Sequence, residues 1–430
     1  MSGKSRTICA LDIGSTKVAA VLAVQESAGA KLNVAAASEA ICRGLRGGVV
    51  VNIPETVRSI AQAIELCEDR VQGGEFEAVE EVLIALRGSH IQSFNNKGAL
   101  NIARTDKEIT TSDVGNVLDI AQAVPMSQDR EVLHVIPQDF WVDRQKGVPN
   151  PVGMEGSLLE ADVHILTATS SHVSNVVKAV AQAGFRVSRT VYGLFALGEV
   201  AVTQEEKEQG CLLMDLGAQT LGLGVYSEGT LRHSKEMPMA GADLITRDLA
   251  YALRTSLASA ERIKHEQGAC LTSLISSDDD VEYQGIDGRE IRRVKPRTII
   301  EIVQPRVEEI FALVAKELEA SGWLEVIVPG GVILAGGGSQ MRGIVEASME
   351  LLGVPSRLGL PQLDAVMAPN EILGNPAYAT ALSLLRFVHH PPLWVEKING
   401  KGRLGFDFGR GRSKNGLTRK LQHFLEELFS

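Results

Sequence analysis

Apolar runs and polar turns follow one another along this chain in a plan that occurs twice. Thr7 to Val24 reads as an apolar strand, a tight turn at Asp12-Ile13-Gly14-Ser15-Thr16, and a second apolar strand. Cys211 to Tyr226 repeats the plan around Asp215-Leu216-Gly217-Ala218-Gln219-Thr220. Two hairpins of one design predict two related halves. Between them, apolar positions at helical spacing predict helices over Pro54–Asp69 and Ser170–Ala183, and unbroken apolar runs predict strands over Glu81–Leu86 and Asp162–Thr167. Beyond the second hairpin, a strand at Val332–Leu334 precedes a helix at Ile344–Leu352, and Thr298–Leu318 reads as a charged, solvated helix. Strand, helix and strand in succession indicate an α/β architecture. The polar, acidic stretch Ser276–Asp287 reads as a surface loop.

Composition narrows the class. A chain of 430 residues is too long for one core, and roughly two to four packing units are expected. The net charge of -10 disfavours binding to nucleic-acid phosphate. Cys9, Cys42, Cys67, Cys211 and Cys270 are scattered with no closely spaced pair, which argues against a disulfide framework and a structural zinc site. No leader-like apolar segment opens the chain, and no stretch reaches membrane-spanning length without a charge or a turn. A soluble, cytoplasmic body is expected.

The first hairpin has the chemistry of a phosphate and metal site. Gly14 lets backbone amides approach an anion, Ser15 and Thr16 offer hydroxyls, and Lys17 adds positive charge. Asp12 repels phosphate, so its natural work is to hold the waters of a Mg²⁺. Alone, this stretch reads equally well as a plain β-hairpin with a polar turn. Asp215, Gly217, Gln219 and Thr220 supply a second turn of the same kind, and two strand-end carboxylates, Asp12 and Asp215, suit a metal held from both sides. A third element, Gly336-Gly337-Gly338 through Met341, lies where a strand hands over to a helix; glycines there admit a ribose or a base against the backbone.

The C-terminus carries a separate signal. Leu417, Leu421, Phe424, Leu425, Leu428 and Phe429 fall on one face of a helix, behind a stretch rich in glycine and arginine. A basic linker and an amphipathic helix suit adsorption to an anionic leaflet; docking on the body or on a partner is the plainer alternative.

In this order the motifs resemble the actin, Hsp70 and sugar-kinase superfamily, and within it the chain resembles the FtsA family of bacterial cell-division proteins. The resemblance rests on Val132-Leu133-His134-Val135-Ile136-Pro137-Gln138, Asn150-Pro151-Val152-Gly153-Met154, Leu231-Arg232-His233-Ser234-Lys235, Ala260-Glu261-Arg262-Ile263-Lys264 and Val303-Gln304-Pro305-Arg306. It implies a two-lobed actin-like ATPase fold with a small inserted subdomain and a C-terminal amphipathic helix. The expected units are 1–94 and 163–198 for the first lobe, 95–162 for the insert, 199–388 for the second lobe, 389–415 for a linker and 416–430 for the helix.

The resemblance further implies ATP and Mg²⁺ as ligands, an adenosine clamp formed by Glu261 and Lys264, and a glycine near the nucleotide at Gly241. By spacing alone, Glu261 and Lys264 are equally a surface ion pair. The implied partners are a second copy of the chain in a filament, anionic lipids, later division proteins and the acidic C-terminal peptide of FtsZ, with Arg297, Glu301 and Arg306 as its contacts. The implied place is the cytoplasmic face of the inner membrane at the septum.

Two departures bear on hydrolysis. Tyr192 stands where many relatives carry a water-orienting acidic or amide residue, with Glu199 two turns further on. The second hairpin also lacks the three glycines and second aspartate that are common there. ATP binding with slow or negligible hydrolysis is therefore expected. A sugar or acetate kinase and a PilM-like pilus scaffold remain the alternatives. His134 and His164, in apolar runs, read as core histidines rather than metal ligands.

Overall fold

The computed structural model describes residues 6–27, 29–71, 77–275 and 279–389. The helix expected at 416–430 and its linker from 390 onward lie outside them.

The first half opens with β1 (Arg6–Ile13) and β2 (Lys17–Gln25), paired antiparallel, followed by β3 (Leu32–Ile41). A short hairpin, β4 (Leu45–Arg46) and β5 (Val49–Val50), leads into α1 (Ile53–Asp69). Asn52 caps α1 by accepting from the Glu55 N–H, Pro54 sits in its first turn, and Ile60, Ala63, Ile64 and Cys67 lie on its buried face. β6 (Glu81–Leu86) then pairs in parallel with β1.

A unit with its own core follows: β7 (Ile91–Asn101), α2 (Thr111–Gln122), β8 (Arg130–Val142), β9 (Gln145–Val148) and β10 (Leu158–Thr169). Its sheet order is β7-β10-β8-β9. It reaches beyond the expected 95–162 on both sides, because β7 and β10 pair along their whole length, from Ile91↔Ala168 to Asn101↔Leu158. α3 (Ser170–Gln182), β11 (Arg186–Tyr192), α4 (Gly193–Ala201) and α5 (Gln204–Gln209) complete the first half.

The second half contains β12 (Cys211–Leu216), β13 (Thr220–Ser227), β14 (Thr230–Pro238), α6 (Asp243–Leu253) and α7 (Leu257–Gln267). The hairpin of β15 (Val281–Gln284) and β16 (Ile291–Val294) precedes α8 (Pro296–Ser321), β17 (Val332–Ala335), α9 (Ile344–Leu352) and β18 (Ser356–Leu358). β17 pairs in parallel with β12 as β6 does with β1. The order β14-β13-β12-β17-β18 therefore repeats β3-β2-β1-β6-β11 strand for strand. The two halves share one plan, as the twin hairpins predicted.

Two expectations change. Val281–Gln284 is a strand rather than loop, since it pairs with Ile291–Val294 and buries Tyr283 in the second core. The second lobe also ends before 388. β19 (Val366–Met367) pairs with β3, and beyond α10 (Asn370–Leu373) the helices α11 (Ala379–Leu384) and α12 (Arg386–His389) return to the first core. α11 is buried along its whole length, so it needs apolar surface on every side; it packs against α4 and the first sheet.

Candidate nucleotide cleft

The twin turns are built by the same bond. Gly14 donates its N–H to the Lys17 carbonyl at 2.9 Å, and Gly217 donates to the Thr220 carbonyl at 3.0 Å. A Cβ on Gly14 would stand 3.0 Å from that carbonyl oxygen, and one on Gly217 2.9 Å from its counterpart, so each turn closes tightly only with glycine. The β4–β5 hairpin joins the two. Gly48 donates its N–H to Ser15 Oγ at 3.1 Å, and Gly47 donates to Gln219 Oε1 at 2.8 Å. Gly47 and Gly48 were not singled out in the sequence; their one local signal is a glycine pair between Leu45-Arg46 and Val49-Val50.

The other glycines pack around the second turn. A Cβ on Gly241 would lie 2.2 Å from the Ala218 carbonyl oxygen, and the Asp243 N–H behind it donates to that same oxygen at 2.8 Å. Gly336 has φ +79, and a Cβ there would lie 2.3 Å from Asp215 Oδ1. Gly338 is pressed against Leu216, whereas Gly337 faces open space within 4 Å. The run thus packs two glycines against the strand end and leaves the middle one bare. Met341 is half-buried against the second core.

Glu261 and Lys264 form more than a surface pair. Lys264 Nζ lies 2.8 Å from Glu261 Oε2 and donates to Thr246 Oγ1 at 2.9 Å, while the Thr246 hydroxyl donates to Glu261. The Lys264 side chain is 8% exposed and that of Glu261 43%, so α6 and α7 are bound together by a polar triad buried at its lysine end. Next to it in the chain, Cys270 donates its N–H to the Arg342 carbonyl at 2.9 Å, which sets α7 beside the segment following the glycine run.

Asp12 and Asp215 both lie close enough to Arg87 to feel its charge, and their surroundings differ. Asp12 is half-buried, with Oδ1 enclosed and without a hydrogen-bond partner among the described residues. Burial raises its pKa, opposed by the Arg87 charge and reinforced by Asp215. Asp215 is fully buried, and its Oδ2 lies 2.8 Å from Arg87 Nη1. Arg87, at the end of β6, was missed by sequence reasoning. Burial alone would lower its pKa, but Asp215, Glu236 and Asp12 hold it above the ordinary arginine value.

An enclosed orphan oxygen on Asp12 fits a water held by Mg²⁺. Asp215, already paired with a guanidinium, does not fit as the second metal-binding carboxylate. Elsewhere, the Lys17 ammonium is engaged by Glu39 at 2.7 Å, and Thr16 is exposed, its carbonyl accepting from the Cys42 N–H at 2.8 Å.

The remaining candidates separate clearly. Tyr192 is 1% exposed, and Glu199 is held by Lys207 at 2.8 Å and Arg386 at 3.9 Å. Arg297 is exposed and paired with Glu301 at 3.0 Å, while Arg306 is tied to Asp248 at 2.6 Å. His134 Nε2 accepts the Tyr192 N–H at 2.8 Å. His164 bridges Asn95 and Ser234 at 2.6 and 3.0 Å. Both imidazoles are buried partners within the fold. The six apolar tail residues, Leu417 to Phe429, lie outside the described residues.

Comparison with known proteins decides the family. Residues 88–167 match the profile of the SHS2 domain inserted in FTSA, and residues 212–383 match that of cell division protein FtsA. FtsA of Pseudomonas aeruginosa is 37% identical over 386 residues, covering 90% of this chain and 89% of the relative. The chain belongs to the FtsA family. FtsA of Escherichia coli strain K12 is 31% identical over 389 residues, covering 89% of this chain and 90% of the relative.

Among solved structures, the PilM-PilN type IV pilus biogenesis complex aligns with TM-score 0.62 at 18% identity, over 88% of this chain and 97% of the other. MreB5 of Spiroplasma citri bound to ADP aligns with TM-score 0.54 at 12% identity, over 89% and 96%. At those identities the likeness speaks for the fold alone. This FtsA-family chain is thus an actin-like cell-division protein with two lobes and an inserted SHS2 domain. No helix among the described residues is long and apolar enough to cross a membrane.

Proposed function

We propose that the chain binds ATP between its lobes, self-associates into an actin-like filament, and ties FtsZ filaments to the cytoplasmic face of the inner membrane at the septum. The observation that carries the nucleotide reading is the convergence of both turns and the Gly336–Gly338 run on one cleft, joined through Gly47 and Gly48. Solved MreB5 structures with ADP and AMPPNP support a nucleotide ligand for this fold. Hydrolysis is slow or absent: Tyr192 is buried and brings no carboxylate, and Glu199 is spent on Lys207.

The tether is the 416–430 segment with its apolar face from Leu417 to Phe429. A single short helix binds weakly, so polymerisation multiplies the attachment and holds the filament on the membrane. The exposed Arg297 beside Glu301 is the contact offered to the FtsZ peptide; Arg306, held by Asp248, supports the helix behind it. The filament in turn presents a platform to later division proteins.

Cosedimentation with anionic vesicles and FtsZ, with and without ATP, tests this. The intact chain carries FtsZ into the vesicle pellet, and deleting 416–430 leaves both in the supernatant. Unchanged vesicle binding by the deleted chain overturns the tether. A steady-state turnover above about 1 per second overturns the slow-hydrolysis reading.

A further inference from the structure

The floor of the cleft holds a cation of its own. Asp215, Gly222 and Glu236 stand side by side on β12, β13 and β14, paired as Asp215↔Gly222 and Gly222↔Glu236. The central position has no side chain, and the guanidinium of Arg87 fills the gap from the first lobe. A Cβ on Gly222 would lie 3.6 Å from Arg87 Nη2 and 3.4 Å from Glu236 Oε1, and one on Gly193 would lie 3.0 Å from Arg87 Cγ. Arg87 Nη1 lies 2.8 Å from Asp215 Oδ2, and its Nη2 donates to the Asp215 carbonyl at 3.4 Å. The arginine side chain is 11% exposed and the aspartate 0%, so the aspartate has no water to turn to and the pair is largely shielded from solvent.

A guanidinium is a permanent charge that no accessible pH removes. Held here, it neutralises the carboxylate that a metal ion would need from the second lobe, and it repels a divalent cation that approaches. Asp12 remains as the one open carboxylate of the pair. Resting on the proposed nucleotide binding, the geometry points to Arg87 as the resident cation of the cleft, so that nucleotide binds here without an obligatory divalent metal.

The test is equilibrium binding of a fluorescent ATP analogue to the full chain, in excess Mg²⁺ and in EDTA. Wild type is expected to bind in both, with affinities within about threefold of one another. Binding that falls by about tenfold or more in EDTA overturns the inference and leaves the nucleotide reading standing. Absence of binding in both buffers overturns both. Arg87→Ser frees Asp215 for a metal, and its binding is expected to become dependent on Mg²⁺ by about tenfold or more. An Arg87→Ser variant that folds and binds equally in both buffers also overturns the inference. Should that variant not fold, the wild-type comparison decides alone.

Discussion

Gly47 donates its backbone N–H to the side-chain oxygen of Gln219 at 2.8 Å, across 172 residues of chain and between the two lobes. The bond links the second turn to the β4–β5 hairpin, whose next residue holds Ser15 of the first turn. Gln219→Ala removes it. The expected loss of stability is about 1 kcal/mol, the net worth of one such bond. Because the turn loses its lateral support, affinity for an ATP analogue is expected to fall by more than that of an exposed control on α3 such as Gln182→Ala. Urea unfolding and equilibrium binding check the two parts separately.

Gly336 and Gly337 are neighbours with opposite demands. Gly336→Ala forces a Cβ to 2.3 Å from Asp215 Oδ1 at a positive φ, and about 3 kcal/mol of destabilisation or more is expected. Gly337→Ala meets nothing within 4 Å and is expected to fold within about 0.5 kcal/mol of wild type. It nevertheless places a methyl group on the bare position that the proposed nucleotide site uses. Thermal unfolding separates the pair; normal stability with lost nucleotide binding in Gly337→Ala is the expected signature of a ligand-facing position.

Lys264 directs two N–H groups to Glu261 and Thr246 and has a third to offer. Lys264→Met keeps the stem and removes the charge. Affinity for ATP is expected to drop by about tenfold or more, while affinity for inorganic tripolyphosphate is unchanged, as the proposed adenosine clamp requires. Equal loss for both ligands would return the pair to a purely structural role.

Burial pushes the pKa of His134 and of His164 down to about 3, with the His233 charge adding to the effect at His164. The folded pKa is below the unfolded value near 6.5, so folding favours the neutral imidazoles. Their contribution is complete above about pH 6.5 and is lost as pH falls toward 3, at up to about 1.4 kcal/mol per unit for each histidine. Glu236 and Asp12, whose pKa values are raised first by burial, work in the opposite sense as they take up protons. Urea midpoints measured from pH 7.5 to 5 are expected to fall, and His134→Gln is expected to flatten part of that slope. An identical slope in the variant would remove His134 from the account.

Much of this protein was legible from local chemistry. The turns at Asp12–Thr16 and Asp215–Thr220 declared themselves because a tight hairpin needs glycine where the chain reverses. The helix periods of Ile53–Asp69 and Ile344–Leu352 were visible because one face of each is apolar. The duplicated order of motifs was enough to expect two related lobes around a phosphate site, whereas the inserted domain was implied only by the family resemblance.

Only the tertiary structure decided which groups meet. Arg87 stands at the end of an ordinary apolar strand, and nothing beside it in the chain announces that it reaches Asp215, 128 residues away. The pairing of Gly47 with Gln219, the return of β19 and α11 to the first lobe, and the filling of the Gly222 gap are of the same kind. Each depends on packing between distant segments, where burial turns a solvated charge or a small residue into a specific partner. The sequence determined the twin glycine turns and their carboxylates; the fold decided that the Arg87 guanidinium lies against one of them, Asp215.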